Sequence, residues 1–61
     1  NLEMKYWHAV SLANIGEIER SLPIFRDVFG KDTRWKLLTK RLPGVELLNV
    51  KSEALHRILS E

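Results

Sequence analysis

Two histidines are the side chains of this 61-residue chain with the widest chemical repertoire, because imidazole binds metals and titrates near neutral pH. His56 follows Glu53 by three positions, so the two share a helical face and could act as an acid–base pair. His8 belongs to a different predicted helix, and its spacing from this pair is not that of a zinc-ligand set. No serine nucleophile or oxyanion-hole motif accompanies them. We therefore expect no catalytic residue, no metal and no cofactor.

A cluster of positive charge offers a second kind of chemistry, contact with phosphate groups. Five of the ten basic residues fall within eleven positions, against a single acid, Asp32. They are Lys31, Arg34, Lys36, Lys40 and Arg41. As the recognition helix of a helix-turn-helix, "TRWKLLTKRL" would present these side chains to DNA. The connection before this helix is longer and more charged than a typical tight turn. Asp27 lies four residues before Lys31 and can partly neutralise its charge. A solvated charged face is therefore the alternative interpretation of this cluster.

Composition narrows the class of protein. The chain has no cysteine, which excludes disulfides and thiolate metal sites, and its net charge is only +2. No apolar run approaches the roughly 20 residues needed to span a bilayer, so we expect no membrane partner. A chain this short buries only about 60% of its unfolded surface and needs dense packing, docking or self-association to be stable. Because it starts at Asn1 and Met4 is internal, we expect a fragment or C-terminal domain of a longer protein.

Apolar spacing predicts a first helix from Leu2 to Ile15, a segment without proline or glycine. Its inner face consists of Leu2, Tyr6, Ala9, Val10 and Ala13. A second apolar set lies beside that face and consists of Met4, Trp7, Leu12 and Ile15. Such a broad apolar coat suits a helix packed between neighbours. Gly16 is expected to end the helix in a left-handed conformation.

The second predicted helix contains a proline, Pro23, which is unfavourable in a helix interior. The inner face of this helix consists of Ile18, Ser21, Leu22, Phe25, Val28 and Phe29. A proline in a helix interior costs about 3 kcal/mol. We therefore expect the helix to begin near Glu19 or Arg20, with Pro23 at the edge of its first turn, and to end at Gly30.

The second half of the chain predicts two shorter helices. Asp32 is expected to cap the third, which runs from Thr33 to Leu42 and ends before Pro43-Gly44. The stretch "VELLNV" fits either a short helical turn or an extended connector. Ser52 is expected to cap the last helix, residues 53–60, in which Glu53 and Arg57 form an i,i+4 ion pair. The whole is an all-α single domain, residues 1–61, with a hairpin over 2–30 and a capping helical pair over 32–61.

Five residues of the hairpin fall at the small, apolar, turn and aromatic positions of a 34-residue repeat pattern; they are Ala9, Leu12, Gly16, Ser21 and Phe25. Residues 2–35 thus resemble a tetratricopeptide unit, although Val28 stands where alanine is usual and Thr33 where proline is usual. The resemblance implies an antiparallel helical hairpin whose first helix faces a binding surface. Tyr6 and Val10 stand at the positions of the peptide-carboxylate clamp, and Asn14 is the only amide nearby. The resemblance therefore implies an apolar, aromatic groove around Tyr6, Val10 and Asn14 in place of the clamp.

Residues 6–48 also resemble the helical C-terminal segment of prokaryotic proteins with an N-terminal-nucleophile-hydrolase-like main domain. That resemblance implies an accessory domain and carries no catalytic residue into this chain. We expect both tryptophans, Trp7 and Trp35, to fill the core. The sequence favours a non-enzymatic module for protein–protein interaction or self-association, whose partner is another protein, another domain or a second copy. The alternative is a small helix-turn-helix domain that binds DNA through residues 33–42.

Overall fold

Four α-helices and no strand make up the computed structural model, which describes all 61 residues. The helices are α1 (Leu2–Asn14), α2 (Ile18–Lys31), α3 (Arg34–Arg41) and α4 (Ser52–Leu59). A short 3₁₀ turn, Leu42–Val45, follows α3 directly. The predicted all-α class with four helices is confirmed. None of these helices is long and apolar enough to cross a membrane.

Helix α1 forms where the apolar spacing predicts it, and local hydrogen bonds close both of its ends. The side-chain oxygen of Asn1 accepts a hydrogen bond from the backbone N–H of Met4 at 3.2 Å, which caps the first turn. At the other end Gly16 adopts a positive φ of 89°, and the next N–H, that of Glu17, donates to the carbonyl of Leu12 at 2.9 Å. This is the Schellman arrangement, so the predicted role of Gly16 is confirmed.

Helix α2 differs from its prediction at both ends. It begins at Ile18, so Pro23 lies well inside the helix, and the prediction that it marks the first turn is wrong. Proline has no N–H to donate to the carbonyl of Glu19. Both residues are exposed, so water can bind that carbonyl instead. The helix also continues through Gly30 to Lys31, which shows that a single glycine does not stop a helix whose apolar face is buried.

Helices α1 and α2 pack antiparallel as a hairpin. The ring of Tyr6 meets that of Phe25 edge-on with centroids 6.0 Å apart, and Lys5 Nζ lies 2.6 Å from Asp27 Oδ2 at the surface. The buried core extends beyond the hairpin into the second half of the chain. It consists of Tyr6, Ala9, Val10, Ala13, Phe25, Val28, Phe29, Leu42, Leu48 and Ile58. The C-terminal half therefore closes the apolar face that the hairpin leaves open.

The second half of the chain corrects three local predictions. The carboxylate of Asp32 accepts a hydrogen bond from the backbone N–H of Arg34 at 3.0 Å, but the N-cap position of α3 is Thr33. Ser52 is the first residue of α4 and does not cap it, because the N-cap position is Lys51 and no side chain bonds the free N–H groups there.

Arg57 pairs with Glu19 of α2 instead of its predicted partner, Glu53. A partner on another helix fixes α4 against the hairpin, which an ion pair within α4 would not do. The ambiguous stretch after Pro43 is now resolved as well. It completes the 3₁₀ turn and then runs as an irregular connector to Lys51.

The accessible surface of the chain is 4233 Å² for a mass of 7.1 kDa. Surface scaling for folded monomers gives about 4,100 Å² at this mass. The C-terminal half thus closes the core as fully as in an ordinary small monomer. Any further association must use surface features that remain outside this core.

Candidate functional site

Tyr6, the first residue of the expected groove, is completely buried. Its hydroxyl lies 2.8 Å from Thr39 Oγ1, and Thr39 Oγ1 donates to the carbonyl of Trp35 at 2.8 Å. Because the threonine hydroxyl has one hydrogen, Tyr6 must be the donor in the first bond. Burial raises the pKa of Tyr6 above its ordinary value. Tyr6 therefore ties α1 to α3.

The other two groove residues also serve the fold. Val10 is 3% exposed and belongs to the core. Asn14 is exposed, but both ends of its amide are occupied: Nδ2 donates to the carbonyl of Leu47 at 3.1 Å, and Oδ1 accepts from the N–H of Asn49 at 2.7 Å. Tyr6, Val10 and Asn14 do not line an open groove, because α3 and the connector cover that side of α1.

Three of the five residues of the expected basic surface are engaged within the chain. Lys31 Nζ lies 3.2 Å from Asp27, and the guanidinium of Arg34 lies 2.7 Å from Asp32. These contacts lower the pKa of both carboxyls: Lys5 and Lys31 hydrogen-bond to Asp27, and Arg34 to Asp32.

Lys36 Nζ stands 5.6 Å from the centre of the Phe29 ring, within cation–π range. Lys40 and Arg41 have no ion-pair partner and lie in the last turn of α3, where positive charge complements the helix dipole. The basic surface thus consists of two free cations beside three that already contact an acid or a ring. This is a weak electrostatic footprint for DNA, which rewards several simultaneous phosphate contacts.

The two histidines lie exposed on different helices, His8 on α1 and His56 on α4. No group of three or more histidine, cysteine, aspartate or glutamate side chains comes together that could hold a metal ion. A cleft of about 300 Å³ lies between the end of α1 and the start of α4. Its lining contains one charged side chain, Lys51, and the amide of Asn14 that is already hydrogen-bonded. These features offer no constellation for bond-making chemistry.

The tryptophans occupy different environments, which only partly matches the expectation that both fill the core. Trp35 is partly buried, and its ring packs on that of Tyr6 with centroids 4.7 Å apart. The rings of Trp7 and Tyr6 meet in a T-shaped arrangement with their centroids 5.1 Å apart. Trp7 is 37% exposed, so part of its side chain remains accessible to solvent or to a partner.

The side of α1 that points away from the core is the most apolar exposed helical surface of the molecule. We call it the outer face of α1 and define it as Met4, Trp7, His8, Ser11 and Ile15. Met4 and Ile15 are 71% and 73% exposed. The sequence predicted this second apolar set but also included Leu12, which is buried in the structure. A helix turning about 100° per residue places Met4 and Ile15 within about 20° of each other.

The polar residues of the outer face of α1 are a histidine and a serine, His8 and Ser11. Ser11 Oγ donates its hydrogen to the carbonyl of Trp7 at 2.9 Å, so the hydroxyl is already satisfied as a donor. No acidic, lysine or arginine side chain of α1 lies three or four residues from Met4 or Ile15, although Glu3 lies four residues before Trp7. Leu37, a large apolar residue exposed on α3, differs because Arg34, Lys40 and Arg41 lie three or four residues away on the same side of that helix. The outer face of α1 is therefore the candidate functional site.

Comparison with known proteins identifies no relative of this chain. No protein-family model, no curated protein and no solved structure matches it. The resemblances to a tetratricopeptide unit and to the accessory segment of hydrolase-like proteins stay predictions.

Proposed function

We propose that this chain is a non-catalytic interaction module that binds a protein partner through the outer face of α1. One observation carries the proposal: two large apolar side chains, Met4 and Ile15, are more than 70% exposed on an uncharged helical face although the molecule already has a closed core. Exposed apolar residues are ordinary when single, whereas a set of them aligned along one helix is typical of a docking surface.

The energetics of such docking can be bounded from the side chains involved. Complete burial of a Met or Ile side chain contributes about 1.5–3 kcal/mol, and the exposed part of Trp7 adds further apolar area. Association itself costs at least about 4 kcal/mol in lost translational and rotational freedom. The outer face of α1 thus supports a weak or moderate complex and not a permanent one.

Site-specific photo-crosslinking tests the proposal directly. A photoreactive amino acid placed at Met4 or Ile15, in the cells that produce the protein, should give discrete protein adducts. The same group at Leu37 is the matched control, since that residue is also exposed (57%) but lies among cations on α3. Adducts of equal yield at all three positions, or none at Met4 and Ile15, would contradict the proposal.

A further inference from the structure

The geometry points to a second copy of this chain as the partner, with the two α1 helices packed antiparallel through their outer faces. This inference rests on the proposed function, because it names the occupant of the same surface. It follows from the order of the side chains along the face, their hydrogen-bonding capacity and the charge at the ends of the helix.

Four of the five residues of the outer face of α1 are arranged symmetrically about the midpoint between residues 9 and 10, whereas Trp7 has no counterpart on this face. Reversing the helix about that point exchanges Met4 with Ile15, and His8 with Ser11. An interface with two-fold symmetry requires that residue i of one copy contacts j of the other and that j contacts i. Two outer faces packed antiparallel meet this requirement with apolar residues opposite apolar ones at both ends and polar opposite polar in the middle.

The central polar residues are complementary as well as opposite. Ser11 Oγ has spent its only hydrogen on the carbonyl of Trp7, so it can only accept another hydrogen bond. The imidazole of His8 has an N–H to donate. In the antiparallel pair each His8 faces the Ser11 of the other copy, which allows two equivalent hydrogen bonds across the interface. An arbitrary apolar partner would leave these groups without matched acceptors and donors.

Charge favours the same arrangement. Antiparallel helices bring the partly positive N-terminus of one α1 near the partly negative C-terminus of the other, which parallel packing would not do. The one lysine of α1, Lys5, is held 2.6 Å from Asp27 of α2 and adds no repulsion at the interface. The two-fold axis also places both Trp7 rings along one edge of the interface between the two α1 helices.

The size of the face sets the strength of the pair. A standard stable interface uses about 20–30 residues on each side, whereas the outer face of α1 has five. The dimer is therefore weak, and the fraction dimerised rises with protein concentration.

Sedimentation equilibrium with charge-swapped variants tests both the partner and the orientation. M4E alone or I15K alone should raise the dimer dissociation constant by about tenfold or more, since each places an unpaired charge against an apolar side chain. The double variant M4E/I15K should return to within about threefold of the unmodified chain, because the antiparallel pair sets each new carboxylate against a new ammonium. A parallel pair would oppose like charges and show no rescue.

Matched controls separate folding from association. All three variants change exposed residues, so their unfolding midpoints at low concentration should stay close to that of the unmodified chain. L37K, on α3, should leave the dissociation constant unchanged. Fluorescence provides a second measurement: in a Trp35→Phe background, Trp7 emission should shift to shorter wavelength as dimers form. A monomer at every concentration, or a dimer insensitive to M4E and I15K, would overturn the inference.

The outcome also discriminates between this inference and the proposed function. If the purified chain stays monomeric while Met4 and Ile15 crosslink to another protein in cells, the self-association is refuted and the docking surface stands. If neither self-association nor crosslinking appears, both are refuted.

Discussion

Tyr6 shows how much of this small fold depends on single side chains. Its ring contacts Trp35 and Phe25, and its hydroxyl donates to Thr39, so one residue joins α1 to α2 and to α3. No buried side-chain nitrogen or oxygen lacks a hydrogen-bond partner, and the chain from Tyr6 through Thr39 to the carbonyl of Trp35 is one reason. A polar residue that sequence analysis assigned to a binding groove is instead a structural link.

Removing the hydroxyl of Thr39 and removing that of Tyr6 should lower the free energy of unfolding by different amounts. Thr39→Val leaves the buried hydroxyl of Tyr6 without an acceptor and should lower the free energy of unfolding by about 1–3 kcal/mol. Tyr6→Phe should cost only about 1 kcal/mol, because Thr39 keeps its bond to the carbonyl of Trp35. Urea denaturation of both variants gives the comparison. A larger loss for Tyr6→Phe than for Thr39→Val would contradict the assigned direction of the hydrogen bonds.

The raised pKa of Tyr6 predicts a specific loss of stability in alkali. The unfolded chain releases the phenolic proton near pH 10, before the folded chain does. The stabilising contribution is therefore complete below about pH 10 and is lost as the pH rises from there through the higher pKa of the folded state. The free energy of unfolding should fall more steeply above about pH 10 for the unmodified chain than for Tyr6→Phe. Parallel curves for the two proteins would refute this assignment.

At the scale of elements, the four helices differ in how their ends are stabilised. α1 has a side-chain cap at its start and a Schellman motif at its end, whereas α4 begins at Ser52 and its N-cap residue, Lys51, provides no side-chain cap. α4 nevertheless contributes Ile58 to the core and is held to α2 by the ion pair of Arg57 with Glu19. Tertiary contacts therefore stabilise a helix whose first N–H groups receive no side-chain hydrogen bond.

Replacing the residue at the N-cap of α4 should stabilise the protein. Lys51 already has the extended conformation of an N-cap residue, with φ of −66° and ψ of 152°. In Lys51→Ser, the hydroxyl can accept a hydrogen bond from a free N–H of the first turn, with an expected gain of about 0.5–1 kcal/mol. Thermal unfolding beside the Lys51→Ala control, which lacks the hydroxyl, measures the gain. Equal midpoints for the two variants would show that α4 does not need a cap.

At the scale of the whole molecule, the outer face of α1 and the free cations lie on different helices. The uncharged outer face of α1 faces away from the core, while the free cations Lys40 and Arg41 lie at the end of α3. The other three residues of the basic cluster contact Asp27, Asp32 and the ring of Phe29. This distribution favours contact with apolar protein surface over contact with nucleic acid.

Titration with duplex DNA at two salt concentrations checks that preference. Because few cations are free, we expect binding that is weak at low salt and has a shallow dependence of affinity on salt, corresponding to about two released counterions. Lys40→Ala combined with Arg41→Ala should remove it, and Met4→Ala is the control on the apolar face. A steep salt dependence, indicating five or more phosphate contacts, would restore the DNA-binding alternative.

Much of the fold and one part of the candidate site followed from sequence pattern. The spacing of apolar residues predicted the buried faces of α1 and α2, and it also marked Met4, Trp7 and Ile15 as a second apolar set. The assignment of Tyr6, Val10 and Asn14 to a groove came from a resemblance to repeat proteins. It did not account for how this chain's own second half covers that side of α1.

Local interactions explain what the sequence alone determined: the all-α class, the position of α1 and the turn at Gly16. Each depends on residues within a few positions of one another, so periodicity and turn chemistry encode them. The tertiary structure alone decided the pairs Tyr6–Thr39, Asn14–Leu47 and Arg57–Glu19, whose members are 33 to 38 residues apart. Their residue types fit many partners, and only the packing of α3, the connector and α4 on the hairpin selects one. That packing also determined which apolar face of α1 became core and which remained exposed.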